Sequence, residues 1–139
     1  MKKKITTVLI CLLLTTFAFA QKISADKVPA QVKAKFTALY PTSTDVKWEL
    51  EDANYEGEFM KGKTEITVVI DPQGNLKETE TKIEVAELPK SASDYVAKKY
   101  PGAKIAEAAR IVDTKGKVTY EAEVNKKDLL FDDKGNFIK

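Results

Sequence analysis

The chain has 139 residues, the length of one ordinary domain, with 23 basic and 21 acidic residues, a single cysteine and no histidine. The missing histidine removes Ser-His-Asp and Cys-His catalysis, nearly all zinc sites and the usual general base near neutral pH. A near-neutral balance of charge gives no global field for nucleic acid, and the only arginine is Arg110, so bidentate base reading has no support.

The N-terminus reads as an address. Lys2, Lys3 and Lys4 precede an apolar, uncharged run from Ile5 to Phe19, and Ala18-Phe19-Ala20 places small residues where a signal peptidase reads them. The run is shorter than the ~20 residues of a comfortable membrane span, and no stop-transfer pattern follows. Residues 1–20 are therefore expected to be a cleaved export signal, with residues 21–139 forming a single domain in the periplasm or outside the cell. Cleavage removes three lysines and Cys11, leaving 20 basic against 21 acidic residues and no thiol or disulfide.

A helix is expected next. Val28, Val32, Phe36, Leu39 and Tyr40 share one face at three- and four-residue steps, Pro29 suits a first turn, and Tyr40-Pro41 ends the run. Strands follow: Val46 to Leu50 and Tyr55 to Phe59 alternate apolar with charged residues, Lys63 to Asp71 is dense in β-branched residues, and Leu76 to Val85 alternates more weakly. A second helix carries Leu88, Ala92, Tyr95, Val96 and Tyr100 on one face, opened by Pro89 and closed by Pro101. Lys99 stands where Leu39 stood and is expected to face solvent or to snorkel. Strands at Lys104 to Val112, Lys117 to Val124, Lys127 to Asp132 and Asn136 to Lys139 complete the chain, linked by turn sequences.

The second half repeats the first. Val28-Pro29 recurs as Leu88-Pro89, and Phe36-x-x-x-Tyr40-Pro41 as Val96-x-x-x-Tyr100-Pro101, both 60 residues on. Tyr55 to Phe59 resembles Tyr120 to Val124, and Ile70 to Leu76 matches Phe131 to Phe137 at a spacing of 61. Four correspondences in one order define two repeats, about 25–87 and 88–139. The expected fold is α+β: two tandem repeats, each a helix followed by a four-stranded antiparallel meander, joined in one curved sheet with a broad uncovered face.

Three groups of residues carry possible chemistry. Asp71, Asn75, Asp132, Asp133 and Asn136 are oxygen donors in two Asp-x-x-Gly-Asn turns, but a calcium loop needs more carboxylates and a distal Glu, and tight turns use Asp and Gly for backbone reasons. Glu49, Glu51, Glu56 and Glu58 cluster on neighbouring strands. Glu121 and Glu123 fill the same slots in the second repeat, which suits a solvated sheet face better than a unique acid pair. Trp48, Tyr55, Phe59, Tyr120 and Phe131 fall on the apolar phase of their strands. They are either core beneath the helices or anchors on the uncovered face. Ala108 stands in the second repeat where Trp48 stands in the first, an asymmetry that fits a packing difference or a site on one half. No catalytic residue, metal or cofactor is implied.

The order Val/Leu-Pro, helix, Tyr-Pro, Lys-Trp-Glu and Tyr-Glu-x-Glu-Phe strands, then Asp-x-x-Gly-Asn, resembles the PepSY-like, β-lactamase-inhibitor-like exported proteins of Bacteroidetes, over Ala25 to Lys139. The resemblance implies tandem helix-plus-four-strand repeats resembling β-lactamase inhibitor protein, a periplasmic or secreted location, and no known enzyme activity. The leading expectation is a non-catalytic envelope protein that binds a protein or peptide on its open sheet face, with Trp48, Tyr55 and Tyr120 as anchors. The alternative is a small-ligand carrier with its site between the repeats. An enzyme would need an acid pair in a cleft, such as Glu56 with Glu121.

Overall fold

The computed structural model describes residues 20–139. The export signal expected over residues 1–20 lies, Ala20 apart, outside the described residues. Eight strands form one antiparallel sheet in strictly sequential order: β1 (Gln21–Ile23), β2 (Lys47–Glu51), β3 (Asn54–Lys61), β4 (Thr64–Ile70), β5 (Leu76–Ile83), β6 (Ile105–Asp113), β7 (Val118–Val124) and β8 (Lys127–Asp132). Helix α1 (Ala30–Leu39) joins β1 to β2, and α2 (Lys90–Lys99) joins β5 to β6. Each helix follows a short 3-10 turn, Ala25–Lys27 or Val85–Glu87, and takes a proline as its N-cap. Pro29 and Pro89 have no N–H to leave unpaired at that position.

Two differences from the expected strands have simple causes. Gln21–Ile23 is too short to show a period, yet Ile23 pairs with Trp48 and the segment extends the sheet beyond β2. Asn136–Lys139 stops short of a strand: it gives an isolated bridge from Phe137 to Phe131 and two backbone hydrogen bonds with Leu130.

Both helices cover the same face of the sheet, and two aromatic-rich cores lie beneath them. In the first repeat Val28, Val32 and Phe36 meet Trp48, Phe59, Ile66, Val68 and Ile70. The Phe36 ring stands edge-on to Trp48 at 5.4 Å and to Phe59 at 5.2 Å, geometries that aromatic quadrupoles favour. In the second, Leu88, Ala92 and Val96 meet Ala108, Ala122, Val124, Leu129 and Phe131. Tyr95 stacks on Phe137 at 4.5 Å, so the C-terminal bridge is held by a ring contact as well as by backbone bonds.

Leu39, expected on the buried face, is 41% exposed. It is the last residue of α1, and Tyr40, packed 4.5 Å from Phe59, closes the core at that end. Its counterpart Lys99 is exposed for the same reason.

Candidate functional site

The helices leave the other face of the sheet without a covering layer, and period-two alternation decides what it carries. Registers place Lys47, Glu49 and Glu51 of β2 beside Glu58, Glu56 and Asn54 of β3. Glu56 pairs onward with Val69, Val69 with Glu78, and Thr67 with Glu80. Glu80 faces Ile111, Ala109 faces Glu121, Glu121 faces Leu130, and Glu123 faces Asp128. The uncovered face thus holds Glu49, Glu51, Glu56, Glu58, Glu65, Glu78, Glu80, Glu107, Glu121, Glu123 and Asp128, with Val69, Ile111 and Leu130 as its larger apolar side chains.

This face is curved. Adjacent strands sit ~4.8 Å apart, so β2 and β8 would be separated by roughly 29 Å in a flat sheet. Yet Glu51 of β2 and Asp128 of β8 line one cavity of about 440 Å³. Irregularities in register at Val69/Ile70 and between Ile105 and Glu107 mark two bulges, which bend and twist strands. The uncovered side is therefore the concave side.

The trough has two unlike ends. At one, cations balance the acids: Lys47 Nζ lies 2.6 Å from Glu58 Oε1, and Lys82 Nζ lies 3.0 Å from Glu107 Oε2 and 3.5 Å from Glu65 Oε1. At the other, the 440 Å³ cavity is lined by Glu51, Glu56, Glu78, Glu80, Glu121 and Asp128 around Ile111 and Leu130, with Lys139 as its one cation. Among the described residues, none of these six carboxyl groups forms an ion pair.

Crowding and burial hold protons on this end. Burial, then the Glu121 and Glu56 carboxylates, push Glu80 from 4.5 up to about 8. Burial, then Glu51 and Glu49, raise Glu56 to about 7, and burial followed by Asp128 and Glu51 does the same for Glu121. Glu51 is raised as well, first by burial. The physical cause is shared: carboxylates lose water inside the trough and repel one another.

The aromatic anchors expected on the open face are on the opposite side. Trp48 is buried against Phe36, and Tyr55 and Tyr120 are partly buried against the first and second cores. They share strand phase with Phe59 and Phe131, and that phase is the one the helices cover. The asymmetry between Trp48 and Ala108 is one of packing. Trp48 pairs across the strands with Gly57, whereas Ala108 pairs with Ala122, so one large and one absent side chain replace two small ones. The carboxylates that the sequence groups together, Glu49, Glu51, Glu56, Glu58, Glu121 and Glu123, do share one face. Glu56 and Glu121 line the same cavity. Sequence reading missed Glu78, Glu80 and Asp128 in that cavity. The signal for the first two was Glu-Thr-Glu-Thr over 78–81, in which threonines on one face fix acids on the other.

The Asp-x-x-Gly-Asn turns are closed by their own backbone. Asp71 Oδ1 accepts from the N–H groups of Gln73 and Asn75 at 3.0 and 2.9 Å, and Asp132 Oδ1 from those of Lys134 and Asn136 at 2.9 and 2.8 Å. Asp113 closes the β6–β7 turn in the same way. Among the described residues no group of three or more carboxylates has metal-holding geometry.

A family described as "Putative beta-lactamase-inhibitor-like, PepSY-like" has a sequence model that matches residues 16–78 and again residues 53–139. The structure is similar to that of a DUF2874 family protein from Bacteroides uniformis, at 23% identity over 80% of this chain and 86% of that one, with a TM-score of 0.67. A protein from Bacteroides eggerthii described as a putative periplasmic protein is 18% identical over 81% and 86%, with a TM-score of 0.69. A BLIP-like protein from Bacteroides fragilis is 20% identical over 80% and 83%, with a TM-score of 0.59. At such identities the likeness is one of fold. No curated protein matches the sequence. Among the described residues, no helix is long and apolar enough to cross a membrane.

Proposed function

The chain belongs to the PepSY-like, β-lactamase-inhibitor-like family, and on that premise we propose that it is a non-catalytic exported protein that binds a protein or peptide segment in the concave face of its sheet. The lysine-led apolar leader over residues 1–20 supports export, with the periplasm or the exterior as its destination. The description of the Bacteroides eggerthii protein is in keeping with it.

The observation that carries the binding reading is the curved, uncovered face itself. The domain packs both helices on one side of its sheet and leaves a trough spanning β2 to β8 on the other. Cavities that draw on both repeats lie in this trough and are lined by carboxylates, which suits a polypeptide better than an apolar small molecule. Raised carboxyl groups also occur in enzymes, and Glu56 with Glu121 is such a pair. Here six carboxyl groups are crowded across five strands and four of them are raised, so no single acid–base pair stands apart, which favours a recognition surface.

The test is capture from envelope extract with three purified forms: wild type, Glu51→Lys/Asp128→Lys at the rim of the trough, and Lys98→Glu on the exposed surface of α2. A partner retained by wild type and Lys98→Glu but lost with the rim variant supports the reading. Retention by all three forms overturns it.

A further inference from the structure

We propose that the occupant of the concave face is a basic polypeptide segment whose lysine or arginine side chains lie with their stems over Leu130 and Ile111 and their charged heads among Glu56, Glu80 and Glu121. The inference rests on the reading of this face as a docking surface and specifies the partner's chemistry.

Two features of the face converge on it. The first is charge. The six carboxyl groups of the larger cavity face each other from five strands: Glu51 from β2, Glu56 from β3, Glu78 and Glu80 from β5, Glu121 from β7 and Asp128 from β8. The other charged groups on this face are Glu49, Glu58, Glu65, Glu107 and Glu123, Asp113 and Asp132 in the turns at its edge, and Lys22, Lys47, Lys82 and Lys139. Lys47 and Lys82 are spent on Glu58, Glu65 and Glu107 at the far end. The cavity end is therefore a cation-shaped deficit, and a partner bringing positive charge relieves repulsion already present in the free protein.

The second feature is apolar. Ile111 and the half-buried Leu130 line the acidic cavity itself, and Val69 lies between Glu56 and Glu78 on the same face. Glu80 flanks Ile111 and Glu121 flanks Leu130 across the strands, so apolar floor and acidic wall alternate at the ~5 Å cross-strand spacing. Lysine and arginine present that same pairing of an aliphatic stem with a charged head. A metal ion would use the wall and ignore the floor, and a bare polyamine, though it carries methylene links, has four charges and no backbone to spread them along the trough.

Binding a cation here must displace protons, because Glu56, Glu80 and Glu121 hold theirs to about 7, 8 and 7. Lysine side chains stay charged throughout this range, so with the peptide's α-amino group acetylated a pH dependence between 5.5 and 8.5 belongs to the trough.

The experiment is calorimetric titration of the purified protein with an N-acetylated decalysine peptide, in two buffers of different ionisation enthalpy, at pH 5.5, 7 and 8.5. Binding at pH 8.5 is expected to be at least tenfold tighter than at pH 5.5, with net proton release at pH 7. Glu80→Gln/Glu121→Gln, checked for fold by circular dichroism, should weaken it at least tenfold, while Glu58→Gln/Glu107→Gln at the paired end changes it less than threefold. Spermine at equal charge concentration should bind at least tenfold more weakly than the peptide. Equal losses in the two double variants, pH-independent binding, spermine equal to the peptide, or no binding at all would each overturn the basic-segment assignment. If captured envelope partner still needs Glu51 and Asp128 while decalysine fails to compete, the docking surface stands and only its assigned occupant falls.

Discussion

Gly57 lies directly across the strand pair from Trp48, and a Cβ built on Gly57 would come within 3.1 Å of the indole ring and 3.3 Å of Phe36. The glycine is there to make room for the ring. Gly57→Ala is expected to destabilise by about 1–3 kcal/mol, the range for overpacking, because two buried rings must shift. Trp48→Ala should cost about 3–5 kcal/mol by opening a cavity. Combined, the two changes recreate the Ala108–Ala122 pair of the second repeat, so the double variant should be less destabilised than the sum of the singles. Denaturant unfolding of all four forms checks this. Strict additivity would show that the two side chains do not share a space.

The loop carrying Gly135 docks onto the start of α2. Ser91 Oγ donates to the carbonyl oxygen of Lys134, and a Cβ on Gly135 would lie 2.7 Å from Pro89 Cβ. The first repeat has the same joint: Gln31 Nε2 donates to the Pro72 carbonyl oxygen at 2.8 Å, and Gly74 faces the Gln31 carbonyl. Gly135 and Gly116 share a left-handed backbone, at φ +79° and +80°, but a Cβ on Gly116 would meet nothing within 4 Å. Gly116→Ala should therefore cost about 1–2 kcal/mol for backbone strain alone. Gly135→Ala should exceed it by a further ~1–3 kcal/mol for the collision. Equal losses in denaturant midpoint would mean that the helix–turn joint is loose.

Much of this architecture was legible in the chain. The prolines at 29, 41, 89 and 101 bracket both helices, and alternation at 46–50 and 55–59 fixes which side chains share a face. Alternation does not say which of two faces a helix will cover, and that single bit moved Trp48, Tyr55 and Tyr120 from expected anchors to the packed side. The acidic face was visible only in pieces for a related reason. Glu51 and Asp128 are 77 positions apart, and only sheet curvature, set partly by bulges without a sequence signature, brings them to one cavity. Close approach at Gly57 and Gly135 was likewise hidden, since a glycine reads the same whether it serves a turn or a neighbour's ring.

Asp132 accepts from two backbone N–H groups and from the Asn136 side chain, and these bonds hold its carboxyl below the usual range. Its neighbour Asp133 has no such role in closing the turn. Asp132→Ala should lower the urea midpoint, and Asp133→Ala should leave it within error. The difference should shrink at low pH, where protonation removes the carboxylate from the wild type as well. A midpoint that falls equally for both substitutions would show that the turn depends on net charge and not on these bonds.

Opposing carboxyl populations set the pH dependence of stability. Glu80, Glu56 and Glu121 titrate near 4.5 when unfolded and near 8, 7 and 7 when folded. Between those values the folded state binds more protons, so stability is full below about 4.5 and is lost as pH rises through 7 to 8. The turn residues Asp71, Asp113 and Asp132 are shifted down by hydrogen bonds, so their contribution is present above 3.8 and is lost as pH falls through their folded values. The thermal midpoint should therefore peak in mildly acidic solution and decline toward pH 8.5. Glu80→Gln removes the most strongly raised carboxyl while keeping its shape, so it should stabilise the protein at pH 8.5 and change little at pH 5. A wild-type midpoint that is flat from pH 5 to 8.5, or a Glu80→Gln variant that follows wild type at every pH, would mean that the trough carboxylates are solvated well enough to ionise freely.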